Sequence, residues 1–211
     1  MTQVNQINKS LGQYRVIPVV SLPSFKQAEP LGNALVAGGL PLAEITFRTD
    51  AAEDSIRILA ERGDLLVGAG TVLTTDQADR ALQAGARFAV SPGFNPKVVR
   101  HCQDISLPIF PGISGPSDIE AALDHGLNTV KFFPAEAFGG VPTLKALSAP
   151  YPMINFIPTG GVNPKNLARY LELNCVLACG GSWMVAPKLL DEDGFQQVER
   201  AVRQTVVMTA T

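Results

Sequence analysis

Short apolar segments rich in β-branched residues alternate along this chain with longer segments of helical periodicity. Continuous apolar runs of this length are typical of parallel strands that are buried on both faces. The segments between them carry helix signals, such as the Asn–Pro pairs that open "NPKVVRHCQ" and "NPKNLARYLEL". The eight predicted strands span residues 15–22, 42–49, 65–72, 87–93, 108–114, 128–135, 154–161 and 175–183.

Eight strand–helix units favour a (β/α)8 TIM barrel within the α/β class. An open doubly wound sheet is the alternative that the same alternation allows. No linker or low-complexity tract interrupts the chain, so we expect a single domain over residues 1–211. Its expected parts are an extra N-terminal helix at 1–13, the barrel at 14–190 and a C-terminal helix at 191–211. In such a barrel the functional residues lie at the carboxyl ends of the strands.

The composition narrows the classes of partner. Hydrophobic residues make up 46% and charged residues 17% of the chain, which supplies ample material for a large core. The formal net charge of −2 gives no electrostatic reason to expect nucleic acid or an anionic membrane as a partner. An anionic ligand must therefore be held by local groups.

The location of the protein is predicted from its first residues and its cysteines. The stretch "MTQVNQINKSLGQY" lacks the apolar core of a signal peptide, and no segment approaches the roughly 18 apolar residues of a membrane span. The chain has three cysteines, Cys102, Cys175 and Cys179, an odd number without the spacing of a zinc site. We therefore interpret them as reduced thiols. We expect a cytoplasmic protein.

Lys131 stands in the middle of the sixth predicted strand, "NTVKFFPA", and is the one lysine of seven that lies within a predicted strand. Lysine is seldom fully buried, because removing its charge from water is costly. Two interpretations remain open for it. Lys131 pairs with an acid such as Glu44, or it is desolvated and serves as a neutral amine that forms a Schiff base with a ketone.

Polar side chains occupy one face of the second predicted strand, "AEITFRT". Alternation places Glu44, Thr46 and Arg48 together, and we expect this face to point into the barrel mouth. A structural ion pair between Glu44 and Arg48 is the alternative.

Small residues close the third, seventh and eighth predicted strands. "GAGT" allows close approach and offers the hydroxyl of Thr71. "PTGGVNP" and "CGGSW" expose backbone N–H groups where this architecture commonly binds phosphate, with Thr159 and Ser182 as further donors. Simple turns are the alternative interpretation of these glycines.

The remaining polar residues suggest no metal site. His101 and His125 fall on predicted helices outside the barrel, and no pair of histidines has metal-ligand spacing. Asp50 and Glu136 closely follow strands and could act as secondary acids. We expect Trp183 to pack at the rim.

Eight motifs follow one another along the chain: "VIPVV", "EITFRT", "VGAGTVL", "SPGF", "PGISGPSD", "VKFFPAE", "PTGGV" and "GGSWMV". In order and spacing they resemble the motifs of the 2-keto-3-deoxy-6-phosphogluconate (KDPG) and 4-hydroxy-2-oxoglutarate (KHG) aldolase family. The resemblance covers residues 14–190. It implies a (β/α)8 lyase, usually a homotrimer, that uses a lysine Schiff base and needs no metal or other cofactor.

The resemblance also implies roles for individual residues. Lys131 would form the Schiff base, and Glu44 would accept and donate protons. The pyruvyl group would be held by Arg48, Thr71, Pro92 and Phe133, and the phosphate by Thr159, Gly160, Gly161 and Ser182.

Several functional alternatives remain open at this point. The substrate could be 2-keto-3-deoxy-6-phosphogalactonate, the epimer of KDPG at one stereocentre, because no motif in the sequence distinguishes the two. The chain could instead be a phosphosugar isomerase or epimerase in which Lys131 acts only through its charge. A non-catalytic phosphate-sensing barrel with a structural Lys131–Glu44 pair is the third alternative.

Overall fold

A ring of short parallel strands forms the centre of the molecule. The structure is a computed structural model that describes residues 3–190 and 195–209. Its strands are β1 (Val16–Val20), β2 (Leu42–Thr46), β3 (Leu66–Gly70), β4 (Phe88–Val90), β5 (Ile109–Phe110), β6 (Gly112–Ile113), β7 (Thr129–Phe132), β8 (Asn155–Pro158) and β9 (Cys179–Gly181).

Two runs of hydrogen-bonded neighbours make up this ring. One has the order β5-β4-β3-β2-β1-β9 and the other β6-β7-β8, and all of their pairings are parallel. Pro111 joins β5 to β6, and its carbonyl still accepts from Lys131 N at 2.9 Å. A parallel bridge between Thr159 and Gly180 joins β8 to β9. The eight-stranded barrel is thus closed, with its fifth strand divided at a proline that has no N–H to donate.

Helices follow the strands and cover the ring. They are α1 (Gln3–Tyr14), α2 (Ala28–Ala37), α3 (Ala52–Glu61), α4 (Thr75–Gln83), α5 (Pro96–Asp104), α6 (Pro116–Asp124), α7 (Gly140–Ser148), α8 (Leu167–Leu171) and α9 (Phe195–Thr209). Local sequence sets several helix starts. Thr74 caps α4 by accepting from Gln77 N, and Asn95 caps α5 by accepting from Lys97 N. No helix in the described ranges is both long and apolar enough to cross a membrane.

Most of the expected architecture is confirmed. The parallel ring of eight strands is the predicted barrel, and α1 is the predicted extra N-terminal helix, of which residues 1 and 2 lie outside the described residues. The C-terminal helix is present as α9, while residues 191–194, 210 and 211 of that prediction lie outside the described residues.

Two predicted elements begin later in the structure than the sequence suggests. The eighth strand begins at Cys179 rather than at residue 175, although a single bridge pairs Val176 with Phe156. The helix predicted from Asn163 and Pro164 begins only at Leu167. Asn163 keeps the same type of contact that caps α5, since its Oδ1 accepts from Lys165 N at 2.9 Å, but residues 164–166 form a turn before the helix.

Candidate active site

Lys131 and Glu44 meet in the interior of the barrel. Lys131 lies on β7 and is 5% exposed, while Glu44 lies on β2 and is 2% exposed. Lys131 Nζ is 3.5 Å from Glu44 Oε1. Glu44 Oε1 nevertheless accepts no hydrogen bond from any described residue. A buried carboxylate oxygen with unused acceptor capacity is therefore directed at a buried amine.

The glycine at the end of β3 makes room for this carboxylate. A Cβ atom at position 70 would lie 2.7 Å from Glu44 Cγ and would overlap Oε1. The expectation that the small residues of "GAGT" permit a close approach is confirmed at this glycine.

Phe133 provides an apolar and aromatic surface beside the amine. It directly follows β7, and the centroid of its ring lies 5.1 Å from Lys131 Nζ. This distance falls in the range of cation–π interactions. The ring thus shields one side of Lys131 from water.

Arg48 is held at the barrel mouth by a hydroxyl beneath it. The predicted strand extends to residue 49, but β2 ends at Thr46 and Arg48 lies in the turn that follows. Arg48 Nε donates to Thr46 Oγ1 at 3.0 Å, and Thr46 Oγ1 donates to Val20 O at 2.7 Å. In the described part of the chain, no carboxylate lies within ion-pair distance of Arg48. Its guanidinium is therefore available to a carboxylate ligand.

Thr71 adopts a backbone conformation that is unusual for its side chain. It follows β3 with φ of +57°, in the left-handed region that β-branched residues rarely enter. Such conformations cost roughly 1–3 kcal/mol and persist where the surrounding structure imposes them, often at functional sites. This strain distinguishes Thr71 from an ordinary turn residue.

Pro92 lies in the turn that follows β4, against the fifth barrel strand. A Cβ atom at Gly112 would overlap the Pro92 carbonyl, so this close contact requires the glycine. Ser91 Oγ donates to Gly93 O at 2.8 Å and stiffens the turn around the proline. Gly112 pairs with Lys131 across β6 and β7, which brings the Pro92 turn close to the amine.

The loop after β8 presents a row of backbone N–H groups. The carbonyls of Thr159 and Gly160 accept from the N–H groups of Ala135 and Glu136, at 2.8 and 3.0 Å. In a trans peptide the N–H of the next residue points the opposite way from the carbonyl. The N–H groups of Gly160 and Gly161 therefore point away from the turn after β7, on the side of β9.

A third N–H group extends this row. The side-chain amides of Asn163 and Asn166 both donate to Gly161 O, at 2.9 and 3.1 Å, which turns the N–H of Val162 away from them. The sequence prediction missed Val162, because only the asparagine contacts reveal the direction of its N–H. Gly160 and Gly161 have positive φ angles of +97° and +82°, and consecutive N–H groups in such turns commonly form anion-binding concavities.

Ser182 lies beside this row, and Thr159 lies beneath it. Ser182 directly follows β9 and is exposed, and the Thr159–Gly180 bridge places its loop next to that of β8. Thr159 is buried, and its hydroxyl donates weakly to Ile157 O at 3.4 Å. The Thr159 side chain therefore supports the loop from inside the barrel.

Other polar residues fall outside this site. His101 Nε2 lies 2.8 Å from Asp79 Oδ1 between helices, and His125 follows α6. Asp50 is exposed beyond β2. Trp183 Nε1 donates to Thr205 Oγ1 at 3.1 Å, a packing contact with α9.

A cavity of about 390 Å³ lies near the amino-terminal ends of β5 and β7, at the opposite end of the barrel from the Thr159–Val162 loop. It is lined by residues such as Val4, Leu107, Pro108 and Leu127. Neither Lys131 nor Glu44 lines it, so this cavity is separate from the site.

Comparisons with known proteins agree with the geometry. A family model described as KDPG and KHG aldolase matches residues 7–201. The 2-dehydro-3-deoxy-phosphogluconate aldolase of Haemophilus influenzae is 46% identical over 202 residues, which cover 95% of each chain.

Solved structures of similar proteins contain relevant ligands. A Legionella pneumophila KDPG aldolase, with pyruvate captured as a covalent carbinolamine, superposes with a TM-score of 0.91 at 38% identity, covering 94% of this chain and 97% of the other. A Zymomonas mobilis 2-keto-3-deoxy-6-phosphogluconate aldolase with 3-phosphoglycerate has a TM-score of 0.91 at 35% identity, with 96% of each chain covered.

Proposed function

The chain belongs to the KDPG and KHG aldolase family, and from this premise we propose that it cleaves KDPG to pyruvate and glyceraldehyde 3-phosphate through a Schiff base on Lys131. The observation that carries the proposal is the buried contact of 3.5 Å between Lys131 Nζ and Glu44 Oε1. It places a nucleophile beside a proton acceptor, which is the minimum that this reaction requires.

Schiff-base formation begins when the neutral amine of Lys131 attacks the C2 ketone of the sugar acid. The resulting carbinolamine loses its hydroxyl as water and becomes an iminium. Glu44 is close enough to move the protons for both steps, directly or through one water. The iminium is the electron sink of the reaction, so the chemistry calls for no metal.

Carbon–carbon cleavage follows from the iminium. Glu44 takes the proton of the C4 hydroxyl, the C3–C4 bond breaks, and its electron pair moves into an enamine. Glyceraldehyde 3-phosphate leaves, C3 is protonated, and water releases pyruvate from Lys131. The free acceptor capacity of Glu44 Oε1 suits this role.

Four side chains are proposed to orient the pyruvyl group. Arg48, unpaired with any described carboxylate, would bind the C1 carboxylate bidentately, and Thr71 would add a hydroxyl. Pro92 and the Phe133 ring would form the walls around the methylene carbon. This arrangement would fix C2 against Lys131 Nζ.

The phosphate would bind between the loops after β8 and β9. The N–H groups of Gly160, Gly161 and Val162 and the hydroxyl of Ser182 would donate to its oxygens, with Thr159 supporting the loop. The residues proposed to hold the pyruvyl group follow strands other than β8 and β9. A substrate without a phosphate can therefore still bind to them and reach Lys131. For this reason we propose KHG, which yields pyruvate and glyoxylate, as a second substrate.

Two wider features of the family are proposed for this chain as well, a homotrimeric assembly and a cytoplasmic location. Both proposals rest on the resemblance to the family. Light scattering on the purified protein tests the first proposal through the mass of the particle.

Pyruvate release tests the choice of substrate. KDPG should be cleaved with the highest kcat/KM, KHG more slowly, and the galactonate epimer less well than KDPG. Faster cleavage of the galactonate epimer would reassign the chain to that substrate, and release from none of the three would refute the aldolase function.

A further inference from the structure

A hydrogen bond outside the reacting centre connects the two halves of the site. Tyr170, on α8, is fully buried, and its hydroxyl donates to Glu136 Oε1 in the turn after β7. This turn begins with Phe133, beside Lys131, while α8 begins after the loop proposed to bind phosphate. The bond therefore spans that loop and joins the elements on either side of it.

Glu136 contacts the loop through both its backbone and its side chain. Its N–H donates to Gly160 O at 3.0 Å. A Cβ atom at Gly161 would lie 2.6 Å from both Cβ and Cγ of Glu136, so the Glu136 side chain rests directly on that glycine. The position of Glu136 therefore sets the direction of the Gly160 carbonyl and, through the planar peptide, of the Gly161 N–H.

Tyr170 is suited to fix the Glu136 carboxylate in place. Burial and the neighbouring carboxylate raise the pKa of Tyr170, so its hydroxyl stays protonated and can donate. Gly140 packs against the pair, since a Cβ atom there would lie 2.8 Å from Glu136 Oε1 and 3.1 Å from the Tyr170 hydroxyl. Glu136 is otherwise exposed, and without the hydroxyl its carboxylate would be free to turn into water.

We propose that Glu136 and Tyr170 are positioning residues that hold the loop N–H groups in their anion-binding orientation and thereby set the preference for phosphorylated over unphosphorylated substrates. The inference rests on the proposed function, because it concerns the phosphate end of the same site. Neither residue is assigned a contact with the reacting carbons.

The test compares Tyr170→Phe with the unaltered protein on KDPG and on 2-keto-3-deoxygluconate, which differs only by lacking the phosphate. Losing a hydrogen bond to a charged group should raise KM for KDPG by roughly three- to tenfold and leave kcat nearly unchanged. The values of kcat and KM for 2-keto-3-deoxygluconate should equal those of the unaltered protein. Glu136→Gln keeps an oxygen acceptor and should lie within about twofold of the unaltered protein, whereas Glu136→Ala should behave like Tyr170→Phe.

The chain offers a matched control in Tyr151→Phe. Tyr151 also donates to a glutamate, Glu120, at 2.9 Å, but this bond lies on the surface away from the loop. Tyr151→Phe should leave KM for KDPG unchanged. Melting temperatures of all variants show whether each is folded at the assay temperature. If Tyr170→Phe is unfolded there, the change in KM of Glu136→Ala for KDPG tests the proposal instead.

Equal losses on both substrates, or an unchanged KM for KDPG in Tyr170→Phe and Glu136→Ala, would overturn the positioning role. Failure of the proposed function looks different, because the unaltered protein itself would then release no pyruvate from KDPG.

Discussion

Lys131 Nζ and Glu44 Oε1 lie 3.5 Å apart in the barrel interior, yet Glu44 Oε1 accepts no hydrogen bond from the described residues. A buried pair that served stability alone would gain from direct and complete hydrogen bonding, because the removal of two charges from water is costly. The incomplete contact leaves Glu44 with acceptor capacity for a substrate hydroxyl. This relationship fits the proposed catalytic pair better than a structural one.

Lys131→Arg should lower the aldolase kcat at least about 10³-fold, because a guanidinium keeps the charge but does not form the Schiff base. The fold should remain largely intact, since Arg can still pair with Glu44. Turnover and thermal unfolding are measured together, with Lys97→Arg on the exposed surface of α5 as the control. Appreciable aldolase turnover in Lys131→Arg would contradict a Schiff base on Lys131.

Glu44→Gln should lower kcat for KDPG by about 10²- to 10⁴-fold, the usual contribution of a positioned general acid–base. The amide occupies the same space but accepts no proton, so pyruvate should still bind. Rapid-quench measurements of pyruvate formation check the chemical step, with Glu61→Gln at the exposed end of α3 as a control. A kcat within a few-fold of the unaltered value would assign proton transfer to another group.

Thr46→Val should weaken pyruvate binding, because it removes the oxygen that links Arg48 Nε to Val20 O. We expect KM for pyruvate in the aldol direction to rise about three- to tenfold, as for the loss of one charge-assisted hydrogen bond. Thr46→Ser retains the hydroxyl and should stay close to the unaltered protein. Equal KM values in both variants would show that Thr46 does not orient Arg48.

The thiols should react unequally with a disulfide reagent at pH 8. Burial raises the pKa of Cys102 to about 12 and raises the pKa of Cys179 as well, so the thiolate that reacts is scarce at both positions. Cys175 is only half-buried. One thiol should therefore react quickly in the native protein and three after denaturation. Rapid reaction of more than one native thiol would contradict the described packing.

The central pair of the site could be predicted from sequence because it follows from local patterns. Lys131 interrupts a short apolar strand, and alternation alone places Glu44 on the face of the second strand that points inward. The order of strands along the chain then brings both to the same barrel mouth.

Other parts of the site depend on individual side-chain contacts that no hydrophobic or polar periodicity predicts. The strand that carries Glu44 ends at Thr46, so the position of Arg48 depends on the Thr46 hydroxyl rather than on alternation. The direction of the Val162 N–H depends on the side-chain amides of Asn163 and Asn166, which both donate to Gly161 O. The bond between Tyr170 and Glu136 joins residues 34 apart, and no local periodicity indicates it.

Borohydride reduction in the presence of pyruvate tests the central claim most directly, because it converts the iminium to a stable secondary amine. Peptide mass spectrometry should then find the reduced pyruvyl group on Lys131, and Lys131→Arg should remain unlabelled. Labelling at another lysine, or no labelling of an enzyme that still cleaves KDPG, would contradict the Schiff base on Lys131.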